Sequence, residues 1–313
     1  MPTSQKKLII ICGPTGIGKT AAAIEIAEAF NAEIIGADSM QIYRQMDIGT
    51  AKPTPDEQNR IPHHMIDIID PDEPFDAARF ADLARAKAEQ LYDRGIIPLV
   101  VGGTGLYIKS FLYGIFESEP VDSKIRERLK KEADEKGSDF LFQRLKQCDP
   151  VTAGKLHPND TYRILRALEI HEATGKSISQ YQDTHAFSEQ LYDALKIGLN
   201  MDRALLYERI NERVDAMLAA GFVDEVKMLL NAGYTRDLKS MQSIGYRHIV
   251  DYLEGRLTRE ECVRTLKRDH RRYAKRQLTW FGADDQIIWK KPGQMDDIKA
   301  LISEFLKNHS VVS

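Results

Sequence analysis

The chain has 313 residues, 42% of them hydrophobic and 29% charged, which excludes disordered, collagenous and disulfide-scaffold proteins and leaves one large domain with an insertion, or two domains. Its net charge of −3 does not by itself indicate a nucleic-acid partner, and Cys12, Cys148 and Cys262 are too dispersed and odd in number for a disulfide frame or a CxxC metal knuckle. No stretch approaches the roughly 18 apolar residues that span a bilayer, and the first residues run into a strand without a signal-peptide core, so a cytoplasmic protein without membrane contact is expected.

Residues 8–12 form a continuous apolar, largely β-branched run followed by glycines, as a strand buried on both faces of a parallel sheet requires. Strong helix formers over 20–30 predict a helix, 33–36 a second short strand, 77–94 an alanine-rich helix, and 96–101 another apolar strand ending in Gly102-Gly103-Thr104-Gly105. This alternation is that of an α/β domain whose ligands sit beyond the C-terminal ends of parallel strands. From about 117 to 189 the pattern changes to charged helical segments, over 123–136, 139–147 and 160–174, the last closed by Gly175. Alternation returns at 194–199, a helix follows over 204–220, the stretch 224–281 is mostly helical, and 286–289 is read as a last edge strand. The expected division is therefore a first part of the α/β core over 1–116, a helical insertion over 117–189, and the remainder of the core with a basic C-terminal helix over 190–313.

Gly13-Pro14-Thr15-Gly16-Ile17-Gly18-Lys19-Thr20 fits G-x-x-x-x-G-K-[ST] directly after a buried strand and before a helix. Glycines let the backbone turn its N–H groups inward, the helix N-terminus adds positive potential, Lys19 neutralises phosphate charge, and the Thr20 hydroxyl suits Mg²⁺. The loop does not identify the phosphate compound. A nucleotide-dependent kinase would also want an acid at the end of another strand, and strand 96–101 ends without one, which leaves Asp67 or Asp70. Asp38, just after the second strand, lies on the same sheet edge as the loop and is placed to act as a general base or, equally, as a helix cap; Thr104 offers a second hydroxyl there, or a cap for the helix after it.

Five blocks occur in order: GPTGIGKT at 13–20, ADSMQIY at 37–43, DIGTAKP at 47–53, LVVGGTGLYIKS at 99–110 and RYAKRQLTWF at 272–281. Together they resemble the tRNA dimethylallyltransferases over essentially the whole chain. The resemblance implies a P-loop, nucleotide-kinase-like core that binds dimethylallyl diphosphate with Mg²⁺ and moves its dimethylallyl group to N6 of the adenine 3′ of the anticodon, in tRNAs reading codons that begin with U. It implies Asp38 as general base, Thr104 in the same channel, and Lys19 on the leaving diphosphate. tRNA contacts are implied for Asp38, Ser39, Met40 and Gln41; for Thr104; for Arg126; for Tyr162, Arg163, Ile164, Leu165 and Arg166; for Gln242, Ser243, Ile244, Gly245, Tyr246 and Arg247; and for Lys275, Arg276, Gln277, Leu278, Thr279, Trp280, Phe281 and Gly282. Arg209 and Arg213, four apart on one helix, are placed either to reach the diphosphate or to pair with Glu208 and Glu212, and within the family Arg213 is the favoured diphosphate ligand.

Seven cations, Arg264, Lys267, Arg268, Arg271, Arg272, Lys275 and Arg276, stand against one acid, Asp269, and positions 264, 268, 271 and 275 predict one helical stripe for phosphates. The close of the chain has no metal-ligand set, so the likeness is to the bacterial form of the family, without a structural zinc and expected as a monomer. The readings set against it are a small-molecule or nucleoside kinase using ATP, and a module that grips RNA without chemistry.

Overall fold

A computed structural model of the chain describes residues 6–114, 123–184 and 191–308. The apolar run becomes β1 (Lys7–Cys12), buried from Leu8 onward, and Gly18 in the left-handed region turns the chain into α1 (Lys19–Phe30). After β2 (Ala32–Ala37), buried throughout, come α2 (Pro55–Arg60), opened by a Thr54/Glu57 capping box, and β3 (His63–His64). Asp76 caps α3 (Ala77–Asp93) through the amides of Ala78 and Arg79, and β4 (Ile97–Gly102) leads into α4 (Gly105–Tyr113).

Five helices follow: α5 (Ser123–Lys136), α6 (Ser138–Cys148), α7 (Pro150–Lys155), α8 (Thr161–Thr174) and α9 (Ile178–Thr184). Asp160 caps α8 at its start, and Gly175, at φ 69°, closes it. The chain then runs through β5 (Asp193–Leu199), α10 (Arg203–Ala219), α11 (Phe222–Asn231), α12 (Tyr246–Leu253), α13 (Arg259–Phe281), β6 (Ile288–Lys290) and α14 (Met295–Lys307).

The six strands form one parallel sheet in the order β3-β2-β4-β1-β5-β6. The α/β P-loop architecture expected of the sequence is thus present, with β6 at the edge. In register, Cys12 and Ala37 both lie beside Gly102, so the segments beginning at Gly13, Asp38 and Gly103 leave the sheet abreast. Against the sheet pack Ile24 and Ile26 of α1, Leu206 and Ile210 of α10, and Ile298 and Ile302 of α14. Burial of each such side chain contributes about 1.5–3 kcal/mol. The sequence reading contains no β3, because two residues carry no periodicity, and it stops before α14, whose apolar pair emerges only as the partner of α1.

The chain divides into two compact units. One comprises Met1–Leu112 with Leu191–Ser313, and the other Tyr113–Gln190. The first closes on itself where the Leu191 amide donates to the Leu112 carbonyl at 3.1 Å. The second has its own core of Leu129, Leu141, Phe142, Leu145, Ile164 and Leu168. Around it, Arg128 and Arg144 share the carboxylates of Glu132 and Glu172.

Candidate active site

The loop after β1 turns at Gly13, Gly16 and Gly18, all at positive φ. Lys19 folds back over it, donating to the carbonyls of Gly13 at 3.0 Å and Pro14 at 2.8 Å. Burial, then the charge of Arg213, pushes the Lys19 ammonium down to about 8 against the pull of Asp38. A cation held this way, without an anion on it, gains from any phosphate that enters.

Beside the loop, Asp38 accepts the amides of Met40 at 2.8 Å and Gln41 at 3.3 Å, both on Oδ1. That turn fixes the carboxylate and leaves Oδ2 without a donor among the described residues. Thr104 does not cap its helix through its side chain. Its hydroxyl accepts the Ser39 amide at 3.1 Å, which joins the segments after β2 and β4 to each other. Burial and then Asp38 push the Tyr273 phenol up to about 12. A second joint comes from Gln277, whose Oε1 accepts the Thr15 amide at 2.8 Å and whose Nε2 donates to the Gly103 carbonyl at 2.9 Å.

These elements enclose a cavity of about 710 Å³. Thr15, Gly16, Gly18, Lys19 and Thr20 line it at the phosphate-loop end, together with Arg209 and Arg213 of α10. Asp38, Ser39, Met40 and Gln41 line it opposite, with Ser243, Ile244, Tyr246, His270, Tyr273, Arg276 and Gln277. Neither Arg209 nor Arg213 makes an ion pair among the described residues, so pairing with Glu208 or Glu212 is not what the structure adopts. Buried nitrogen or oxygen atoms without a partner gather here: His63 Nε2, Arg213 Nε, Ser243 Oγ and His270 Nε2. Burial pushes Arg213 below its ordinary value, and burial and then Arg213 push His270 down to about 4, so its imidazole is neutral.

The sequence reading misses His270, and it misses Glu225 as well. Glu225 of α11 is 5% exposed and accepts the amides of Asp47 at 3.0 Å, Ile48 at 2.6 Å and Gly49 at 3.1 Å, and the Tyr246 hydroxyl at 2.6 Å. Burial and then Glu225 hold that phenol above its ordinary range, so it remains a donor. Gly49 is required by contact: a Cβ there would lie 2.2 Å from the Phe222 ring and 2.6 Å from that of Tyr246. Next along this loop, the carbonyls of Thr50 and Ala51 accept the Gln41 amide nitrogen at 3.3 and 3.1 Å. A carboxylate far away in sequence therefore sets the wall that carries Gln41.

The cationic face of α13 differs from the expected stripe. Lys267 donates to Asp215 at 2.7 Å and Arg271 to Asn211 at 2.6 Å, both on α10, which turns Arg271 off the stripe. Arg264, Arg268, Arg272, Lys275 and Arg276 are exposed. Asp269 is buried beneath them; burial pushes its carboxyl up, but hydrogen bonds from Arg268, His248 and Arg247 outweigh this and hold it well below the usual carboxylate range. Of the neighbouring candidates, Trp280 is 44% exposed and Thr279 and Gly282 are exposed, whereas Gln277 and Phe281 face the interior and Leu278 packs on the core. Tyr246 and Gly245 are likewise buried, Gln242 is exposed and turns its amide to the Arg236 carbonyl, and Arg247 is held on Asp269.

Within the Tyr113–Gln190 unit, Tyr162 is 66% exposed with the Arg126 guanidinium 5.9 Å from its ring centre. Arg163 pairs with Asp160, and Arg126 and Arg166 both approach the buried Glu169 carboxylate. Ile164 and Leu165 belong to that unit's core rather than to its surface, because α8 turns them toward α5 and α6.

No group of three or more His, Cys, Asp or Glu side chains suited to a metal occurs among the described residues, and no described helix is long and apolar enough to cross a membrane. Asp67 and Asp70, the candidates for a kinase's strand-end acid, do not line the cavity. They are paired with Lys52 and Arg44 instead.

Comparison with known proteins agrees with this geometry. The family model described as IPP transferase matches residues 41–284, and that described as isopentenyl transferase matches 6–67. The tRNA dimethylallyltransferase of Desulfosudis oleivorans is 53% identical over 306 residues, 97% of each chain, and that of Carboxydothermus hydrogenoformans is 50% identical over 92% of this chain and 93% of its own. Among solved structures, the full-length tRNA isopentenylpyrophosphate transferase of Bacillus halodurans is 41% identical with a TM-score of 0.73, covering 97% of this chain and 98% of its own. A eukaryotic dimethylallyltransferase acting on tRNA is 30% identical with a TM-score of 0.80, covering 98% of this chain and 81% of its own. Phosphate loop, facing carboxylate and full-length likeness converge on one assignment: the chain belongs to the IPP transferase family, with the tRNA dimethylallyltransferases.

Proposed function

We propose that the protein transfers the dimethylallyl group of dimethylallyl diphosphate to N6 of the adenine 3′-adjacent to the anticodon, in tRNAs that read codons beginning with U, and releases diphosphate. The observation that carries this reading is the pair of unlike ends in one cavity: Lys19, Arg209 and Arg213 at the phosphate loop, and the free Oδ2 of Asp38 opposite. An exocyclic adenine amine is a weak nucleophile because its lone pair is delocalised. As the N6–C1 bond forms, Asp38 takes the N6 proton, and the C1–O bond breaks with its electron pair leaving on diphosphate. Lys19, Arg213 and the loop amides stabilise that charge. The hydrogen bond from the Ser39 amide to the Thr104 hydroxyl holds the Asp38 turn in place.

Thr20 lines the cavity as the one hydroxyl at the helix start. Hard oxygen ligands from a hydroxyl and substrate phosphates, without a carboxylate cage, fit Mg²⁺, which usually keeps several waters and binds through phosphates. When bound, the ion would neutralise part of the diphosphate charge.

The target base has to leave its stack to reach Asp38, and tRNA is gripped by the exposed cations of α13 with Trp280 and, on the helical unit, by Arg126, Tyr162 and Arg163. The test is transfer of label from dimethylallyl diphosphate, with Mg²⁺, to an unmodified anticodon stem-loop, with ATP as competing donor. Prenylated adenine forms without ATP, and Asp38→Asn lowers kcat by about 10²–10⁴-fold while leaving donor binding intact. Label that stays on the diphosphate while ATP phosphorylates an acceptor refutes the reading.

A further inference from the structure

Among the buried groups of the cavity that the mechanism above leaves unused, one stands beside Arg213. His270 is 9% exposed, lines the cavity, and has no partner for Nε2. Its level along the helices is fixed by two hydrogen bonds between α13 and α10, Lys267 to Asp215 and Arg271 to Asn211. These set the helices antiparallel, with 267 opposite 215 and 271 opposite 211. His270, between 267 and 271, therefore stands opposite position 212, one residue from Arg213, whose Nε is also buried and unpartnered. Two neighbouring nitrogens, on two packed helices and in one cavity, both lack a partner; Arg213 Nε is a donor, and His270 Nε2 is one in the tautomer that carries its proton there. Buried polar groups are nearly always paired, so such a pair marks the place of a missing partner, and next to an unpaired guanidinium that partner is an anion.

We propose that His270 is a further ligand of the diphosphate, donating its Nε2–H to the same phosphoryl group that Arg213 holds. This rests on the reading of the cavity as a diphosphate site and adds a residue that neither the phosphate-loop pattern nor the basic stripe indicates. The groups facing the imidazole are Arg213 from α10, His248 from α12 and Asp269 from its own helix, and Asp269 is already taken up by Arg247, His248 and Arg268. With Arg213 uncompensated, His270 is neutral and offers a single N–H. An anion on Arg213 cancels the repulsion and favours the protonated imidazole, so ligand binding draws the titration of His270 upward from about 4.

Calorimetric titration of the full chain with inorganic diphosphate and Mg²⁺ reads the contact. His270→Ala weakens binding about tenfold or more, as expected for a lost hydrogen bond to a charged group. His270→Gln, whose amide N–H reaches nearly as far as Nε2, loses far less. A second measurement needs no altered chain to bind: an NMR pH titration of the His270 imidazole, assigned by the signal missing from His270→Gln, moves to higher pH when diphosphate is added. Diphosphate bound as tightly by His270→Ala as by the unsubstituted chain, or an imidazole titration unmoved by diphosphate, overturns the assignment of His270 alone. An unsubstituted chain that does not bind diphosphate overturns the donor reading and this proposal with it.

Discussion

Removing the carboxylate of Glu225 tests the account of the cavity wall most severely. Four donors converge on it, three backbone N–H groups from residues 47–49 and the Tyr246 hydroxyl. Glu225→Ala strands all four, and at about 1 kcal/mol each, the low end for a buried unsatisfied donor, the loss is about 4 kcal/mol. That is a large part of the roughly 5–15 kcal/mol that holds an ordinary domain folded. Glu225→Gln is milder for a geometric reason. Its carbonyl at the Oε2 position still accepts from Asp47 and Ile48, the Tyr246 oxygen accepts from the new NH₂, and the Gly49 amide and the Tyr246 O–H lose their acceptor. The expected cost is about 2 kcal/mol. Both tryptophans, Trp280 and Trp289, lie in the unit that contains Glu225, so intrinsic fluorescence during urea unfolding reports on that unit. An alanine variant within about 1 kcal/mol of the parent, at unchanged m-value, refutes the reasoning.

Three further outcomes follow from the same geometry. Because Lys19 titrates near 8 in the free protein and its protonated form receives phosphate, diphosphate affinity falls as pH rises through about 8, and Lys19→Arg flattens that decline; titration calorimetry in parallel on both proteins checks this. Gln277→Ala frees the Thr15 amide and the Gly103 carbonyl at once, raising KM for the prenyl diphosphate about tenfold while Arg272→Ala and Lys275→Ala, outside the cavity lining, leave it unchanged, in steady-state kinetics with donor varied. Arg272→Ala and Lys275→Ala, on the exposed face, weaken tRNA binding and each reduce the slope of log K against log salt by about one, read by filter binding; a slope that stays unchanged means those cations face no phosphate.

The elements that build the phosphate end were legible in the sequence because the information is local. A buried strand, a glycine turn and a helix follow each other within residues 7–30, and Asp38 and Gly103 are each one residue beyond a strand. Residues that depend on partners distant in the chain were not. Gln277 reads as part of a basic, RNA-facing motif, yet its amide is consumed by Thr15 and Gly103. Arg271 fits the stripe by angle, but α10 offers it Asn211 and the face of Tyr207. Tyr246 lies in a block expected to touch tRNA, and its burial on Glu225 is not visible from that block. Helical periodicity shows which residues share a face; it does not show what another helix brings to that face.

The closure at Leu112 and Leu191 bears on how such a protein can change over generations. The chain leaves and re-enters the sheet-bearing unit at points joined by one backbone hydrogen bond, and each unit has its own apolar centre. Material between those points can lengthen, shorten or be exchanged while the strand order and the sheet edge that carries the phosphate loop remain as they are, so one segment can vary without reopening the packing of the other.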